Sequence, residues 1–236
     1  MSNENTSFTD TLAARSKGSF AKLLKKEIRL ASSPISFIFM AFSLMAFIPG
    51  YPITLGAFFV CLGIFYTFQS GREGNDIIYS VLLPIAKKQI VTARYLFVVF
   101  IQLVSFLLMI IFTMIRMTLL KDATAYLTNP LQNANLFYLA YNLLIFTIFN
   151  LVFVHGFFKT AYYFAKPFIA FIVFAMLVVG VVEILHYLPG LQFLSETGFV
   201  HKKEQLFALA LALAVYFLFT VCACKASQKK FEKIDL

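Results

Sequence analysis

The segment Gly71–Arg94, GREGNDIIYSVLLPIAKKQIVTAR, is a polar interruption in a chain that is otherwise strongly apolar. Apolar runs at residues 52–69 and 95–115 flank it, and each is long enough to be a membrane-crossing helix. The interruption contains a helix-cap signal, an apolar stripe, a proline and a basic pair, which is more local structure than a plain linker needs. It is therefore predicted to be a structured element between membrane spans that contacts a soluble partner.

The composition excludes an ordinary soluble protein. The chain has 236 residues, of which 61% are hydrophobic and 13% charged, and its mean hydropathy is +0.84. This composition cannot cover a soluble domain with polar surface. The charges lie in blocks at the ends and in loops, which predicts an all-α polytopic membrane protein. The formal net charge of +9 is explained by membrane topology, so no nucleic-acid partner is expected.

The N-terminal part has two sections. Residues 1–18 are polar and are predicted to be disordered. Residues 19–31, SFAKLLKKEIRLA, have apolar side chains at helical spacing opposite a basic face, and only Glu27 breaks the apolar face. They are predicted to form an amphipathic helix in the lipid interface. Its apolar face contains Phe20, Leu23, Leu24 and Ile28.

Six spans are predicted within a membrane domain at residues 32–223, followed by a basic tail at 224–236. The spans lie at residues 34–48, 52–69, 95–115, 136–157, 167–188 and 205–223. The first two are short and are separated by Pro49-Gly50-Tyr51-Pro52, which predicts a tight hairpin turn.

Lysine and arginine positions predict the orientation. If the N-terminus is cytoplasmic, only Arg116, Lys121, Lys202 and Lys203 of the 20 basic residues lie outside. Both termini and the 71–94 loop are therefore predicted to face the cytoplasm, in the plasma membrane. The three cysteines, Cys61, Cys222 and Cys224, are interpreted as small apolar side chains, since a C-x-C pair without nearby histidine is poor support for a metal site.

Within the loop, Asn75 and Asp76 are predicted to cap a short helix. Its spacing predicts one apolar face formed by Ile77, Ile78, Val81 and Leu82, with Tyr79 and Ser80 turned away. Pro84 disfavours helix at Leu83 and ends the segment. The apolar face is predicted either to lie passively on lipid or to enter a groove on a cytosolic partner.

These residues carry a family resemblance. Asp76, Leu83-Pro84, Lys87-Lys88, Ile90-Val91 and Arg94-Tyr95 resemble the signature of ABC-2-type transporter permeases, which have six spans, an interfacial elbow helix and cytoplasmic termini. The resemblance covers about residues 19–223. Leu82 stands where the family more often has serine.

The resemblance implies an ABC-2-type exporter fold in which the 71–94 loop is the coupling helix that docks onto an ATP-binding subunit. The docking residues would be Arg72, Glu73, Asn75, Asp76, Ile77, Ile78, Tyr79, Val81, Leu82, Leu83, Pro84, Lys87 and Lys88. The chain has no G-x-x-x-x-G-K-[ST] phosphate loop. ATP and Mg²⁺ would therefore be bound by a separate ATPase chain, in two copies, serving a pair of identical or sister permeases.

The implied function is export of an apolar or amphipathic cargo, such as a peptide, lipid or drug, by a subunit that is not itself catalytic. Gln102, Asn142, Asn150 and Glu183 are polar residues at membrane depth and are candidates to line a translocation path. The alternative for Asn142 and Asn150 is that they bond a neighbouring helix. Glu183 is either a proton-coupled carboxylate or one that reaches the outer interface. Arg116 is expected to snorkel to the outer interface, and Leu188–Gly198 is either an outer gate or an ordinary loop.

Other classes remain as alternatives. An ion- or proton-coupled secondary transporter would show inverted repeats and broken mid-membrane helices, and neither pattern is evident. An intramembrane enzyme would need paired carboxylates, a histidine cluster or a Ser-His arrangement at membrane depth, and the spans contain none. An immunity-type protein that expels an antimicrobial peptide would differ only in cargo.

Overall fold

The computed structural model describes Leu23 and residues 25–27, 33–82, 85–160, 163–196 and 201–234. Every regular element in these ranges is a helix. The α-helices are α1 (Pro34–Phe39), α2 (Leu55–Glu73), α3 (Asp76–Val81), α4 (Lys87–Thr118), α5 (Thr124–Leu127), α6 (Leu136–Thr160), α7 (Ala165–Leu185) and α8 (Lys202–Phe231), with 3-10 turns at Met40–Phe47 and Gln192–Leu194. The predicted disordered residues 1–18 lie outside the described residues, as do Phe20, Leu24 and Ile28 of the predicted interfacial helix and Leu83 and Pro84 of the loop.

Four of these helices, α4, α6, α7 and α8, are long and apolar enough to cross a membrane. Pro34–Phe47 is a shorter apolar helix, and α2 ends in the polar residues of its last turn, Gln69 to Glu73. A helical multi-pass membrane protein is therefore confirmed, whereas the count of six spans stays a prediction.

The first predicted span is not one continuous α-helix. It begins as α1 at Pro34 and changes to a 3-10 helix over Met40–Phe47. A 3-10 helix rises about 2.0 Å per residue instead of 1.5 Å. The tighter winding lengthens a segment that is short for a ~30 Å hydrocarbon core.

Buried serine and threonine side chains fasten this first segment to α2. Ser36 Oγ donates to the Gly63 carbonyl over 2.6 Å, and the Ser33 backbone N–H donates to Thr67 Oγ1 over 3.0 Å. Close packing at Gly63 makes these contacts possible, because an added Cβ there would lie 2.5 Å from Phe39 Cβ. The two helical segments therefore form a closely packed hairpin.

The predicted turn between these segments is confirmed. Residues 48–54 lie between the 3-10 helix and α2, and Gly50 has φ +74°, a backbone conformation that glycine adopts without steric cost. The Gly50 N–H donates to Asn129 Oδ1 over 3.2 Å.

Helix α6 is the centre of the bundle. Of its most apolar stretch 72% is buried inside the protein, against 22% for α7 and for α8. A cluster of phenylalanine rings surrounds it, with Phe65 and Phe168 stacked at 3.8 Å between centroids and Phe153 and Phe157 packed on Phe68. The outer faces of α7 and α8 are apolar and exposed, as expected of lipid-facing helices.

Several helices extend beyond the predicted spans. Helix α2 continues to Glu73, α4 begins at Lys87 and α8 runs to Phe231. The segment between α2 and α4 is therefore residues 74–86, shorter than the predicted loop of residues 71–94, and it contains α3. Backbone hydrogen bonding prolongs a helix past the end of its apolar pattern where the side chains find contacts, as Phe231 does by packing on the ring of Phe158 at 5.5 Å.

Candidate functional site

The short helix α3 is held at the end of the bundle by an ion cluster made of Lys26, Glu27, Asp76 and Arg94. Asp76 Oδ2 lies 2.5 Å from Arg94 Nη2, and Asp76 Oδ1 pairs with Lys26 Nζ. Glu27 Oε2 lies 2.8 Å from Arg94 Nε. The cluster thus joins three parts of the chain: the N-terminal segment, the start of α3 and the second turn of α4.

Burial makes this cluster energetically important. The side chain of Glu27 is fully buried, that of Arg94 is 5% exposed and that of Asp76 is 15% exposed. Two carboxylates face two basic groups, so the cluster is formally neutral. Burial raises the pKa of Glu27, and Arg94 opposes that rise. The Arg94 guanidinium also lies 5.4 Å from the ring centre of Phe68.

Lys26 ties the two ends of α3 together. Its Nζ donates to Ser80 Oγ over 2.5 Å, and Ser80 Oγ donates to the Asp76 carbonyl over 2.7 Å. Because Lys26 also pairs with the Asp76 carboxylate, one N-terminal side chain binds both the first and the last turn of this helix.

The predicted capping is corrected by the structure. Asn75 occupies the N-cap position with φ +52° and makes no side-chain cap hydrogen bond. It supplies instead the left-handed residue that turns the chain from α2 into α3, a conformation that asparagine tolerates better than most residues. Asp76 is the first helical residue and its carboxylate is occupied by the ion cluster.

The predicted apolar face is also corrected. Ile77 and Val81 pack against the core, and Ser80 is buried with them. The exposed side chains are Ile78 at 39%, Tyr79 at 65% and Leu82 at 76%. The sequence spacing grouped the four aliphatic residues on one face, whereas the ion cluster rotates the helix so that Tyr79 joins Ile78 and Leu82 outside.

The remaining predicted docking residues make contacts within the chain. Arg72 lies over the ring of Phe164 at 4.9 Å, and Glu73 Oε1 accepts from Gln69 Nε2 over 3.1 Å. Two lysines contact the C-terminal end of the chain: Lys87 Nζ donates to the Ile234 carbonyl over 2.7 Å, and Lys88 pairs with Glu232 at 3.2 Å. Each of these four side chains therefore contacts a residue outside α3.

Gln102 and Asn150 form a reciprocal amide pair deep in the bundle. Each donates to the other over 3.0 Å, and both are fully buried. Tyr216 Oη donates to Gln102 Oε1 over 2.8 Å, and Asn150 Nδ2 donates to Thr220 Oγ1 over 2.9 Å. Helices α4, α6 and α8 are thereby bonded together. Asn150 therefore bonds neighbouring helices, as one of its two alternatives expected, and the translocation path stays a prediction.

Asn150 lies in a π-helical segment, Phe149–Val154, in the middle of α6. The extra residue per turn places His155 beside α8, where its Nδ1 lies 3.0 Å from Ser227 Oγ. Ser227 Oγ is also 2.9 Å from Tyr95 Oη. Sequence reasoning did not single out Tyr95, Tyr216 or Ser227 as partners, because a hydroxyl at one helical position gives no periodic signal.

Asn142 and Glu183 do not join this network. Asn142 is fully buried beside Tyr138, and the carboxylate of Glu183 accepts from the Gln132 backbone N–H over 2.9 Å near the C-terminal end of α7. The predicted snorkelling of Arg116 is wrong: its side chain is only 1% exposed and donates to the Ala46 carbonyl over 2.5 Å. The Arg116 guanidinium also packs on the ring of Tyr126, with its Cζ 4.2 Å from the ring centre.

Among the residues that the structure describes, no group of three or more His, Cys, Asp or Glu side chains could hold a metal ion. A family model described as "ABC-2 family transporter protein" matches residues 22–232. That range contains α3, the ion cluster and all four long apolar helices. No curated protein and no solved structure matches the chain.

Proposed function

Because this chain belongs to the ABC-2 family of transporter proteins, we propose that it is the membrane subunit of an ATP-driven exporter. In this proposal a separate ATP-binding chain docks on α3, and its movements are transmitted to the spans. The observation that carries the proposal is the pairing of an exposed apolar surface, the docking triad Ile78, Tyr79 and Leu82, with a buried ionic attachment on the other side of the same short helix.

The two faces of α3 suit these two tasks. Exposed side chains of 39–76% supply apolar area and an aromatic anchor, which are the usual components of a binding hot spot. The buried face is bonded to α4 through Arg94 and to the N-terminal segment through Lys26. A partner that displaces α3 would therefore also displace the N-terminal end of α4, a helix of 32 residues.

An apolar groove on the protein supports the proposal that the cargo is apolar or amphipathic. A groove of about 420 Å³ opens between the first helical segment and α2, and nearly all of its lining is hydrocarbon. The residues at this groove include Ile38, Phe42, Leu44, Met45, Ile48 and Phe59. In the proposed arrangement the termini and α3 face the cytoplasm of the plasma membrane, two permeases associate, and two ATPase subunits bind ATP and Mg²⁺.

The first experiment is affinity purification of the full chain in mild detergent from its native membrane, followed by mass spectrometry of the proteins that co-purify. A stoichiometric ABC ATP-binding subunit, released when α3 is altered, is the expected result. A well-folded chain that purifies without any ATP-binding subunit would contradict the proposal.

A further inference from the structure

The last helix, α8, continues past the predicted end of its span and packs against the first turns of α4. The sequence predicted a tail from residue 224, but α8 runs to Phe231. Side-chain contacts join this end of the chain to α4, pairing Tyr95 with Ser227, Thr92 with Gln228, Lys88 with Glu232 and Lys87 with Ile234. These contacts are termed the α4–α8 seam.

The order of the pairs in the seam is that of two antiparallel helices. Successively earlier residues of α4 contact successively later residues of the C-terminal part. Lys88, Thr92 and Tyr95 are spaced by four and three residues, so they lie on one face of α4. Gln228 and Glu232 are likewise four residues apart on α8, and Gln228 Nε2 donates to Thr92 Oγ1 over 2.8 Å. The seam therefore joins a polar face of each helix.

Burial of the seam increases toward the interior of the bundle. The side chains of Lys88 and Glu232 are 55% and 42% exposed, so their ion pair contributes little. Tyr95 and Ser227 are buried, and Tyr95 Oη lies 2.9 Å from Ser227 Oγ. Ser227 Oγ also lies 3.0 Å from His155 Nδ1, which adds α6 to the seam. Separating the inner pair is costlier than separating the outer one, because the bond is lost between buried groups.

The same turns of α4 are attached to α3. Arg94, the neighbour of Tyr95, pairs with Asp76 at the start of α3 and with Glu27 of the N-terminal segment. The N-terminal end of α4 is therefore bonded both to α3 and to α8. A displacement of α3 would reach α8 through two adjacent residues, Arg94 and Tyr95.

We propose that the α4–α8 seam makes the adjoining ends of α4 and α8 one rigid unit, so that a movement received at α3 is transmitted to the last span together with α4. Gln228 and Glu232 are then positioning residues for coupling, because they act by holding α8 against α4. This inference rests on the proposed function, since the ATP-binding chain supplies the movement.

A disulfide across the seam tests whether it stays closed. Gln228 Nε2 contacts both Thr92 Oγ1 and Cys224 Sγ, the latter over 3.8 Å, and the Cys224 thiol also interacts with Thr92. Thr92→Cys therefore places a second thiol close to Cys224. Cys222 is exposed and Cys61 is buried. After oxidation, Cys222 can carry an environment-sensitive fluorophore that reports movement of α8.

The disulfide is measured first in the full chain purified alone in mild detergent, by mass spectrometry of its peptides. We expect a link to Cys224 in Thr92→Cys. Thr118→Cys is the matched control, because Thr118 lies at the other end of α4 and its hydroxyl donates within its own helix, to the Met114 carbonyl. Failure of Thr92→Cys to link with Cys224 would overturn the inference, whichever protein binds α3.

The second measurement uses the complex with the ATP-binding subunit. Mg-ATP with vanadate should change the fluorescence at Cys222 equally before and after oxidation of Thr92→Cys. In an otherwise unaltered chain, Gln228→Ala with Glu232→Ala removes two contacts of the seam. This variant should still co-purify with the subunit but lose most of the fluorescence change. The matched control removes two exposed side chains at the same spacing, Lys229→Ala with Lys233→Ala, and should keep the change.

Three results in the complex would overturn the inference. Loss of the fluorescence change on oxidation, with recovery on reduction, would show that α4 and α8 must separate. An undiminished change in Gln228→Ala with Glu232→Ala would show that the movement reaches α8 by another route. No change in the unaltered chain would show that α8 does not move. Failure of the proposed function is distinguishable from all three, because the ATP-binding subunit would then be missing from the preparation.

Discussion

Arg94 Nη2 lies 2.5 Å from Asp76 Oδ2, and this contact joins the second turn of α4 to the first residue of α3. The same arginine uses Nε to pair with Glu27, and the same aspartate pairs with Lys26. Each basic side chain of the ion cluster therefore contacts both acidic ones. Because α3, α4 and the N-terminal segment share these four charges, none of the three can move far without separating a buried ion pair.

The docking triad can be tested without touching the ion cluster. Leu82→Asp places a charge on a side chain that is 76% exposed, so folding should be preserved. Association with the ATP-binding subunit should fall by about 30-fold or more, because the loss of a hot-spot side chain costs about 2 kcal/mol or more. Co-purification from detergent is the measurement, with Tyr79→Asp as a second variant.

Leu127→Asp is the matched control for these variants. Leu127 is 66% exposed but lies in α5, which follows the C-terminal end of α4, whereas α3 precedes its N-terminal end, so its substitution should leave association intact. Substituting Asp76 would be a poorer test, because its carboxylate is part of the ion cluster and loss of association would then not separate docking from folding. Normal association of Leu82→Asp and Tyr79→Asp would refute the docking role of α3.

Because the ion cluster is formally neutral, substitutions of Arg94 and Glu27 are expected to have non-additive effects on stability. Arg94→Gln leaves Glu27 and Asp76 facing Lys26 alone, and removing one partner of a buried ion pair typically costs about 3–5 kcal/mol. Adding Glu27→Gln restores neutrality, so the double variant should be more stable than Arg94→Gln alone. Unfolding in denaturant measures the effect.

Arg72→Gln serves as the control for that pair, since Arg72 is exposed and only its contact with Phe164 would be lost. It should change the free energy of unfolding by less than about 1 kcal/mol. Additive effects of the two substitutions at Glu27 and Arg94 would show that these side chains are not coupled.

The raised pKa of Glu27 predicts a pH effect of definite sign. Burial favours the protonated carboxyl in the folded protein, so the folded protein binds this proton more tightly than the unfolded chain does. The contribution of Glu27 to stability is therefore largest below its unfolded pKa, near 4.5, and decreases as the pH rises through its folded pKa. As the pH falls from above the folded pKa of Glu27 to below its unfolded pKa, the unaltered chain should gain stability relative to Glu27→Gln. Thermal unfolding at several pH values measures this difference. A difference that stays constant with pH, or that shrinks on acidification, would contradict the assignment.

The sequence predicted the helical membrane architecture because this depends on apolar run length, which composition and hydropathy display directly. It also predicted a helix at α3, where the family signature lies. It failed on which face of α3 is exposed, because that face is set by the contacts of Asp76 with Lys26 and Arg94 and not by the spacing of Ile77, Ile78, Val81 and Leu82.

One signal for the ion cluster was present in the sequence. Glu27 is the single acidic residue on the apolar face of the 19–31 segment, and an acid in that position needs a basic partner when it is buried. Its partner could not be named, because Arg94 lies 67 residues later and several other basic residues precede it. The prediction for Arg116 was wrong for the same reason. Its position at the end of an apolar run suggested an exposed guanidinium, whereas contacts with Ala46 and Tyr126, which are distant in sequence or not part of the periodic pattern, bury it.

The amide pair predicts a second non-additive result. Asn150→Leu alone would leave Gln102 Nε2 without its acceptor and Thr220 Oγ1 without its donor, while Gln102 Oε1 would keep the Tyr216 hydroxyl. Polar bonds between membrane helices are worth about 0.6 kcal/mol each on average, whereas a buried unsatisfied group costs about 1–3 kcal/mol. The variant that combines Asn150→Leu with Gln102→Leu and Tyr216→Phe, which also removes the hydroxyl that binds Gln102 Oε1, should therefore be closer to the unaltered chain in stability than Asn150→Leu is. Resistance to unfolding in mixed detergent measures this order, and a triple variant that is less stable than Asn150→Leu would contradict it.

Two glycines provide the sharpest test of the packing at the first hairpin. Gly63 and Gly180 both lie inside helices, α2 and α7, so replacing either with alanine should gain about 1 kcal/mol in helix propensity. An alanine Cβ at Gly63 would lie 2.5 Å from Phe39 Cβ and 3.3 Å from Ser36 Cα, whereas one at Gly180 meets nothing within 4 Å. Gly63→Ala should therefore destabilise the protein by about 1–3 kcal/mol, as overpacking usually does, while Gly180→Ala should be neutral or stabilising. Equal stability of the two variants would mean that the first segment does not pack on α2 at this distance.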